Sequence, residues 1–420
     1  MSDASVAKSV LSGLDGNLSD LESLYKDIHS HPELSMQETR TASIAADRLQ
    51  SAGFEVATGI GQTGVVGILS NGDGPTVMLR ADMDALPVKE DTGLPYASTV
   101  TATDDEGDET PVMHACGHDM HVAWLAGAAA QFAANRDAWR GTLMAVFQPA
   151  EETAAGAQAM IDDGLFARFA KPDVILGQHV MGLPAGRVFS QPGVVTSAAD
   201  SLQIRLFGRG AHGSMPQSSI DPVVLAAATV MRLQGIVSRE LAASESAVLT
   251  IGALQAGTKE NVIPGEALLK LNVRTYDQGV RKRVLEAITR IVNAEAEASG
   301  ASRAPEFTTL DQYQLTENDP RATERVHQAL AAQLGDDQVK HTGPSSASED
   351  FGSFGSEWNV PSVFWFVGGF DPEVYAKAER EGTLNELPSN HNPKFAPIIH
   401  PTLETGVQTL VAATCAWLAP

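Results

Sequence analysis

The order in which strand-like and helix-like segments follow one another constrains this chain more than any single residue does. Residues 17 to 52 carry apolar side chains at helical spacing (Leu18, Leu21, Leu24, Tyr25, Ile28, then Ile44, Ala45 and Leu49), broken at His31 and Pro32. Short β-rich runs come next: GVVGILS from Gly64, TVMLRADM from Thr76, TLMAVFQPA from Thr142 and DVILGQHV from Asp173, with alanine-rich helical stretches at 119–136 and 154–170. This alternation predicts an α/β domain whose mainly parallel sheet is covered on both faces. Between 197 and 315 the order becomes strand (SLQIRLFGRG), helix, strand (AVLTIGALQAG), strand (EALLKLNVRTYD), helix and strand (PEFTTLDQY). That is the split, ferredoxin-like unit, a sheet with two helices on one face, and it reads as an inserted α+β domain. The chain then returns to the first pattern, with PSVFWFVGG as a buried strand and PTLETGVQTLVAATCAWLA as a closing helix. The expected division is therefore 1–196 and 316–420 for one domain and 197–315 for the other. Length agrees, because 420 residues exceed the roughly 250 to 300 at which a single core stops growing.

Charge narrows the function classes. Twenty-nine basic against 52 acidic residues leave a formal charge of −23, which repels nucleic-acid phosphates and anionic membranes. The first residues lack a basic start followed by an apolar run, and no stretch approaches about 18 consecutive apolar residues, so a cytoplasmic protein is expected. Two cysteines are too few for a disulfide framework. Cys415 lies in the apolar pattern of the closing helix and is expected in the core, whereas Cys116 stands in a very different setting.

Residues 113 to 121 read MHACGHDMH, one thiol and three imidazoles within nine residues. Packing does not explain so many metal donors on a polar stretch, although a surface helix start with incidental histidines would look the same in isolation. Other predicted strands also end in donors: Asp82 and Asp84 after TVMLRADM, Glu151 and Glu152 after TLMAVFQPAEE, and His179 in DVILGQHV. Each has a plain reading as a turn former or a helix-start acid. In an open α/β sheet, however, the ligand crevice lies beyond the carboxyl ends of the strands, so these segments should converge on a metal site.

The ordered motifs DMDALP (from Asp82), HACGHDMH (from His114), QPAEE (to Glu152), GRGAHGSMP (from Gly208), NVIPGEA (from Asn261), SEDF (to Phe351) and HNPKF (from His391) resemble the metal-dependent amidohydrolase/carboxypeptidase family. Hippurate hydrolases, N-acyl-amino-acid amidohydrolases and indole-acetyl-amino-acid hydrolases belong to it, and the match spans almost the whole chain. The resemblance implies a zinc-peptidase-like catalytic α/β domain, an inserted lid and dimerisation domain, and a two-metal site. Matched motif by motif, it implies Cys116, His118, Glu152, His179 and His391 as ligands, with Cys116 bridging both ions as a thiolate. Cys and His donors favour two divalent ions of the zinc, manganese, nickel or cobalt type over magnesium or calcium.

The same resemblance implies Glu151 as the group that moves the proton, while Asp84 would hold the tautomer of His118. Asp82 is read as shaping the turn, His114 and His121 as hydrogen-bonded structural histidines near the site, and Asp119 as a cap of the helix that begins there. In the inserted domain His212 would polarise the scissile carbonyl, with Asn261 and Arg274 contacting substrate, the arginine fork suiting a carboxylate. The plain alternatives are a polar loop for His212 and a surface ion pair for Arg274. Many relatives follow the lid Pro with His, whereas Pro216 is here followed by Gln217. The acidic stretch with Asp104, Asp105, Glu106, Asp108 and Glu109 is longer than the family usually carries and reads as a solvated loop, or as a cleft-side charge that disfavours acidic substrates.

The expected activity is hydrolysis of the amide bond of small N-acyl amino acids or related conjugates by a homodimer. The alternatives are a dipeptidase, carboxypeptidase or diamino-acid deacetylase of the same family, a cysteine hydrolase using Cys116 as nucleophile, and a non-catalytic binding protein.

Overall fold

The computed structural model describes residues 3–104 and 107–420, which separate into two compact units. One comprises residues 1–195, 316–343 and 350–420; the other comprises 196–315 with the short segment 344–349, which the sequence reading had placed in the returning part of the first.

The first unit is built on an eight-stranded sheet in the order Glu55–Ile60, Gly64–Asn71, Gly141–Gln148, Thr76–Asp82, Val174–Pro184, Ser362–Phe370, Val188–Ser190, Val339–His341. The four central strands are parallel, and the first two are antiparallel to their neighbours. Successive side chains of a strand point to opposite faces, so a strand buried on both sides must be apolar at every position. Val77, Leu79, Leu143, Ala145 and Leu176 face one core, with the helices His118–Ala134 and Ile399–Leu418. Met78, Met144, Val146 and Ile175 face a second core, with Phe351 and Phe354. Helix His118–Ala134 is buried almost all round, which explains why it lacks the amphipathic stripe of a surface helix.

The break at His31 and Pro32 separates helix Leu14–His29 from Thr39–Ser51, and the Glu33 carboxylate accepts the Arg40 and Thr41 N–H groups (both 2.8 Å) at the second helix start. The stretch read as one helix at 154–170 is two short ones, Gly156–Asp162 and Leu165–Arg168, parted at Gly164, whose φ of +87° no ordinary helix accommodates. The acidic stretch forms a small hairpin, Thr101–Thr103 against Glu109–Pro111, rather than a plain loop; Asp105 and Glu106 lie outside the described residues.

The second unit has a four-stranded antiparallel sheet in the order Ala247–Ala256, Glu266–Thr275, Ala198–Phe207, Glu306–Tyr313. Helices Pro222–Gly235 and Gln278–Ala298 pack through Leu225, Val284, Ile288 and Ile291 against Ile204, Leu206, Leu269 and Leu271, the alternate positions of the central strands. Asp221 and Asp277 cap these helices through the N–H groups of Val223 (2.9 Å) and Val280 (2.8 Å). The order is that of the split β-α-β-β-α-β unit. Among the described residues no helix is long and apolar enough to cross a membrane.

A buried ion cluster ties the end of helix Leu14–His29 to helix His118–Ala134 and to the segment after Asp84. His29, 1% exposed, contacts the Asp119 carboxylate at 2.6 Å and that of Glu90 at 3.1 Å. Burial opposes its protonation, but the two carboxylates outweigh it and push the imidazole up to about 9. Because the folded value lies above the unfolded value of 6.5, this contribution is fully present below pH 6.5 and fades as pH rises through 9. We predict that chemical denaturation of wild type loses about 3 kcal/mol across that window relative to His29→Gln; parallel pH profiles for the two proteins would exclude His29 as the source.

Candidate metal centre

In-register pairing brings the donor segments of the first unit level with one another. Asp82 pairs with Gln148, Arg80 with Gly177, and Phe366 with His179. His179 does not end its strand, as the sequence suggested, because Val174–Pro184 continues beside Ser362–Phe370. Its pairing with Thr76–Asp82 does stop at Gly177, so His179 is the second residue past the point where that neighbour leaves the ladder.

Three groups of donor atoms meet here, each within 4.8 Å: Cys116, His118 and His179; Cys116, Glu152 and His391; and His118, Glu151 and Glu152. All five residues matched to the family's ligands, together with Glu151, thus converge from four separate parts of the chain. Cys116 Sγ lies 3.4 Å from His179 Nε2, and His391 Nε2 lies 3.3 Å from Glu152 Oε2. His118 Nε2 and Glu152 Oε1 face each other at 3.8 Å, both buried and both without a hydrogen-bond partner among the described residues. A buried polar atom left unpaired is costly, and two such lone-pair donors too far apart to bond each other leave room for a cation between them. The donor set, one thiolate-forming Cys, three imidazoles and a carboxylate, suits a borderline divalent metal.

The imidazoles are held with their donor nitrogens inward. His179 Nδ1–H donates to the Val180 carbonyl (2.7 Å), leaving Nε2 directed at Cys116. His118 Nδ1 lies 2.9 Å from the Asp84 carbonyl and 3.2 Å from its Oδ1, leaving Nε2 toward Glu152. Asp84 Oδ2 also accepts from the Ser35 hydroxyl (2.6 Å) and the Glu152 N–H (3.0 Å). Gly117, at φ +83°, starts the ligand-bearing helix; a Cβ there would meet Val180 at 2.4 Å, so only glycine allows Cys116 and His118 to flank that turn.

The field at the cluster is negative. Burial opposes a charge on His118, yet Asp82, Asp84 and Cys116 outweigh it and hold the ring well above its usual range. His391 is pushed up to about 10 by Cys116 and Glu152. Burial raises the Cys116 thiol and drives His179 well below the ordinary imidazole range. An environment that favours a proton on His118 and His391 favours a metal cation for the same electrostatic reason.

Several readings of flanking residues need correction. Asp82 does not shape a turn: its carboxylate is buried between Arg80 Nη1 (2.6 Å) and His121 Nδ1 (2.5 Å). His121 accepts the Val180 N–H at Nε2 (2.8 Å) and so braces the residue beside His179 as a hydrogen-bonded histidine, whereas buried His114 has no hydrogen-bond partner at either ring nitrogen among the described residues. Asp119 is not the N-cap, a position Gly117 occupies; its carboxylate accepts the Met120 N–H (2.9 Å) and pairs with His29. Asn390 was missed by sequence reasoning, yet its amide donates to the carbonyls of Cys116 (3.2 Å) and Val180 (3.1 Å), joining two ligand segments. Its only signal was adjacency to His391.

In the second unit, His212 and Asn261 are exposed; His212 lies on one strand of a two-stranded ribbon and Asn261 in the turn just before the other, where Ala211 pairs with Ile263 and the Gly213 N–H donates to the Asn261 carbonyl (2.8 Å). Ser214 donates its hydroxyl to His212 Nδ1 (2.8 Å). Arg274 has no ion pair among the described residues; its Nη1 donates to the Ser346 carbonyl (2.6 Å) and Ser348 Oγ (3.1 Å).

Comparison with known proteins agrees with this arrangement. Residues 78–413 match the model of peptidase family M20/M25/M40. The hippurate hydrolase of Campylobacter jejuni is 38% identical over 338 residues, covering 80% of this chain and 85% of that enzyme. An N-acetylcysteine deacetylase of Bacillus subtilis is 36% identical over 352 residues, covering 83% of this chain and 88% of the enzyme. Among solved structures, the Bacillus subtilis YXEP protein, described as a dinuclear metal binding peptidase of the M20 family, superposes with a TM-score of 0.75 at 30% identity, covering 96% of this chain and 98% of its own. The chain belongs to peptidase family M20/M25/M40 and is a hydrolase of that family.

Proposed function

We propose that this protein hydrolyses the amide bond of small N-acyl amino acids or related conjugates, using two divalent cations held by Cys116, His118, Glu152, His179 and His391. The observation that carries this reading is the pair of buried atoms, His118 Nε2 and Glu152 Oε1, without a hydrogen-bond partner among the described residues and facing each other at 3.8 Å inside that ring of donors. The activity is in keeping with relatives that are a hippurate hydrolase, N-acetylcysteine deacetylases and an N-acyl-L-amino acid amidohydrolase.

Bound there, the cations would supply Lewis acidity for the carbonyl and lower the pKa of an attacking water toward about 7. Glu151, 5% exposed and adjacent to the donor cluster, takes the proton of that water and delivers it to the leaving nitrogen. Glu152 binds while Glu151 transfers, a division between neighbours on one turn. Asp84 keeps His118 in the tautomer that presents Nε2. His212, Asn261 and Arg274 are the substrate-contacting residues, His212 for the carbonyl and the Arg274 fork for a carboxylate.

A second copy of this chain is the partner we infer. The outermost strand of the second unit, Ala247–Ala256, has one edge unpaired within its sheet, and helix Pro222–Gly235 packs beside it with Val224 65% and Met231 75% exposed, one heptad apart.

Three outcomes are expected. Glu151→Gln retains metal, measured by elemental analysis, but loses at least about 100-fold in kcat on hippurate or an acetyl amino acid; near-normal turnover removes Glu151 from the mechanism. Chelation abolishes wild-type activity and divalent metal restores it, whereas a cysteine hydrolase would keep turning over in the chelator. Arg274→Ala raises KM for an N-acyl amino acid more than for its carboxamide, and equal losses on both would argue against carboxylate recognition. For the assembly, Met231→Glu converts a dimer to a monomer by light scattering, and an unchanged mass dismisses this face.

A further inference from the structure

Glu38 belongs to none of the donor groups above, yet its carboxylate is completely buried and gathers three separate segments of the first unit. Oε1 accepts the N–H of Met36 at 2.9 Å and of Ala150 at 2.8 Å, and Oε2 accepts the Thr63 hydroxyl at 2.6 Å. Met36 (φ 63°) and Ala150 (φ 48°) are both in the left-handed region that side-chain-bearing residues avoid, and so is Gln62 (φ 86°) beside Thr63. Such conformations persist only where surrounding contacts over-determine them. Here one carboxylate binds two of the strained N–H groups directly and is bonded by the residue that follows the third.

Ala150 is the residue before Glu151. The turn it opens is closed by its own carbonyl, which accepts the N–H groups of Ala155 (3.2 Å) and Gly156 (3.0 Å). Two residues on, the Glu152 N–H is held by Asp84 Oδ2 at 3.0 Å. Two buried carboxylates from distant segments therefore grip the peptide on either side of Glu151, Glu38 through residue 150 and Asp84 through residue 152. Of the two, only Asp84 also touches a proposed metal ligand side chain, His118.

We propose that Glu38 is a positioning residue for the reaction: acting through the Ala150 N–H, it fixes the turn that presents Glu151 for proton transfer. The proposal rests on the reading of Glu151 given above. Its acceptor role needs a side-chain oxygen at that reach and no negative charge, so glutamine can replace it and alanine cannot.

The test compares Glu38→Ala, Glu38→Gln and Thr63→Val in the full-length, metal-loaded protein. Glu38→Ala is expected to keep its metal stoichiometry and a KM within about twofold while kcat falls about 10- to 100-fold, the range seen when a residue that orients site groups is removed. Amide hydrogen exchange over residues 149–153 should accelerate in that variant, with or without metal. Glu38→Gln should recover most of kcat and the slow exchange. Thr63→Val, which loses the Oε2 contact but leaves the Ala150 bond, should be less stable yet keep kcat and slow exchange over that peptide. Unchanged kcat in Glu38→Ala, equal loss of kcat in Glu38→Ala and Thr63→Val, or a glutamine variant as slow as alanine would each overturn the proposal. If Glu38→Ala does not fold, Glu38→Asp takes its place: withdrawing the carboxylate by one methylene must lower kcat at full metal content, and wild-type kcat overturns the idea. Absence of metal-dependent hydrolysis in the wild type would instead refute the functional reading itself, so the two failures are distinguishable.

Discussion

Parallel strands exchange evenly spaced hydrogen bonds, so once two of them are in register every residue along both is level. In the first unit this one constraint aligns Asp82 with Gln148 and brings His179 to the row beyond Gly177. The loops leaving those strands then have a common starting plane, which is why Glu151 and Glu152 reach the same volume as Cys116 and His118, and why Asp84 reaches His118. A slip by one residue would turn Asp82 and His179 to the opposite face and disperse the cluster.

Around that row the protein places a continuous run of charged and polar bonds in an apolar interior. Arg80, 2% exposed, bonds Gln148, Asp82 and Asp350; Asp82 bonds His121; His121 bonds the Val180 backbone. Burying such groups is tolerable because each finds partners with good geometry. Beside them, His118 Nε2 and Glu152 Oε1 have no hydrogen-bond partner among the described residues, and neither does either ring nitrogen of the buried His114. What sets His118 and Glu152 apart is that their unpartnered atoms face each other at 3.8 Å within a cluster of metal-type donors.

Part of the backbone strain lies at the same place. Ala150, Ala154 and His391 are left-handed without being glycines, and each lies within two residues of a proposed ligand or is one. The His391 N–H is tied to the Ala115 carbonyl (2.8 Å), and Ala150 to Glu38. Hydrogen bonds of this kind hold the strained backbone of these short donor-bearing turns in place.

Much of this was legible in the residues. The alternation of β-rich and alanine-rich runs carried the fold class, because burial on both faces of a sheet demands unbroken apolar strands, and the clustered Cys and His marked the site because those residue types rarely bunch without chemistry. Asp82, Asp119 and Asn390 were not legible, since a single Asp or Asn reads as a turn or cap whenever its partner is distant; Asp82 meets its partner His121 39 positions away and Asn390 reaches Cys116 over 274. Glu38 was invisible for the same reason, its partner Ala150 lying 112 residues away and offering only a backbone N–H that no side-chain pattern records. By itself the sequence determined which elements form and which donors exist, because those depend on local periodicity and side-chain chemistry. Only the tertiary structure decided which carboxylates join the candidate metal-donor cluster and which are spent on Arg80, His29 or a strained N–H, because that assignment depends on register and on contacts between segments remote in the chain.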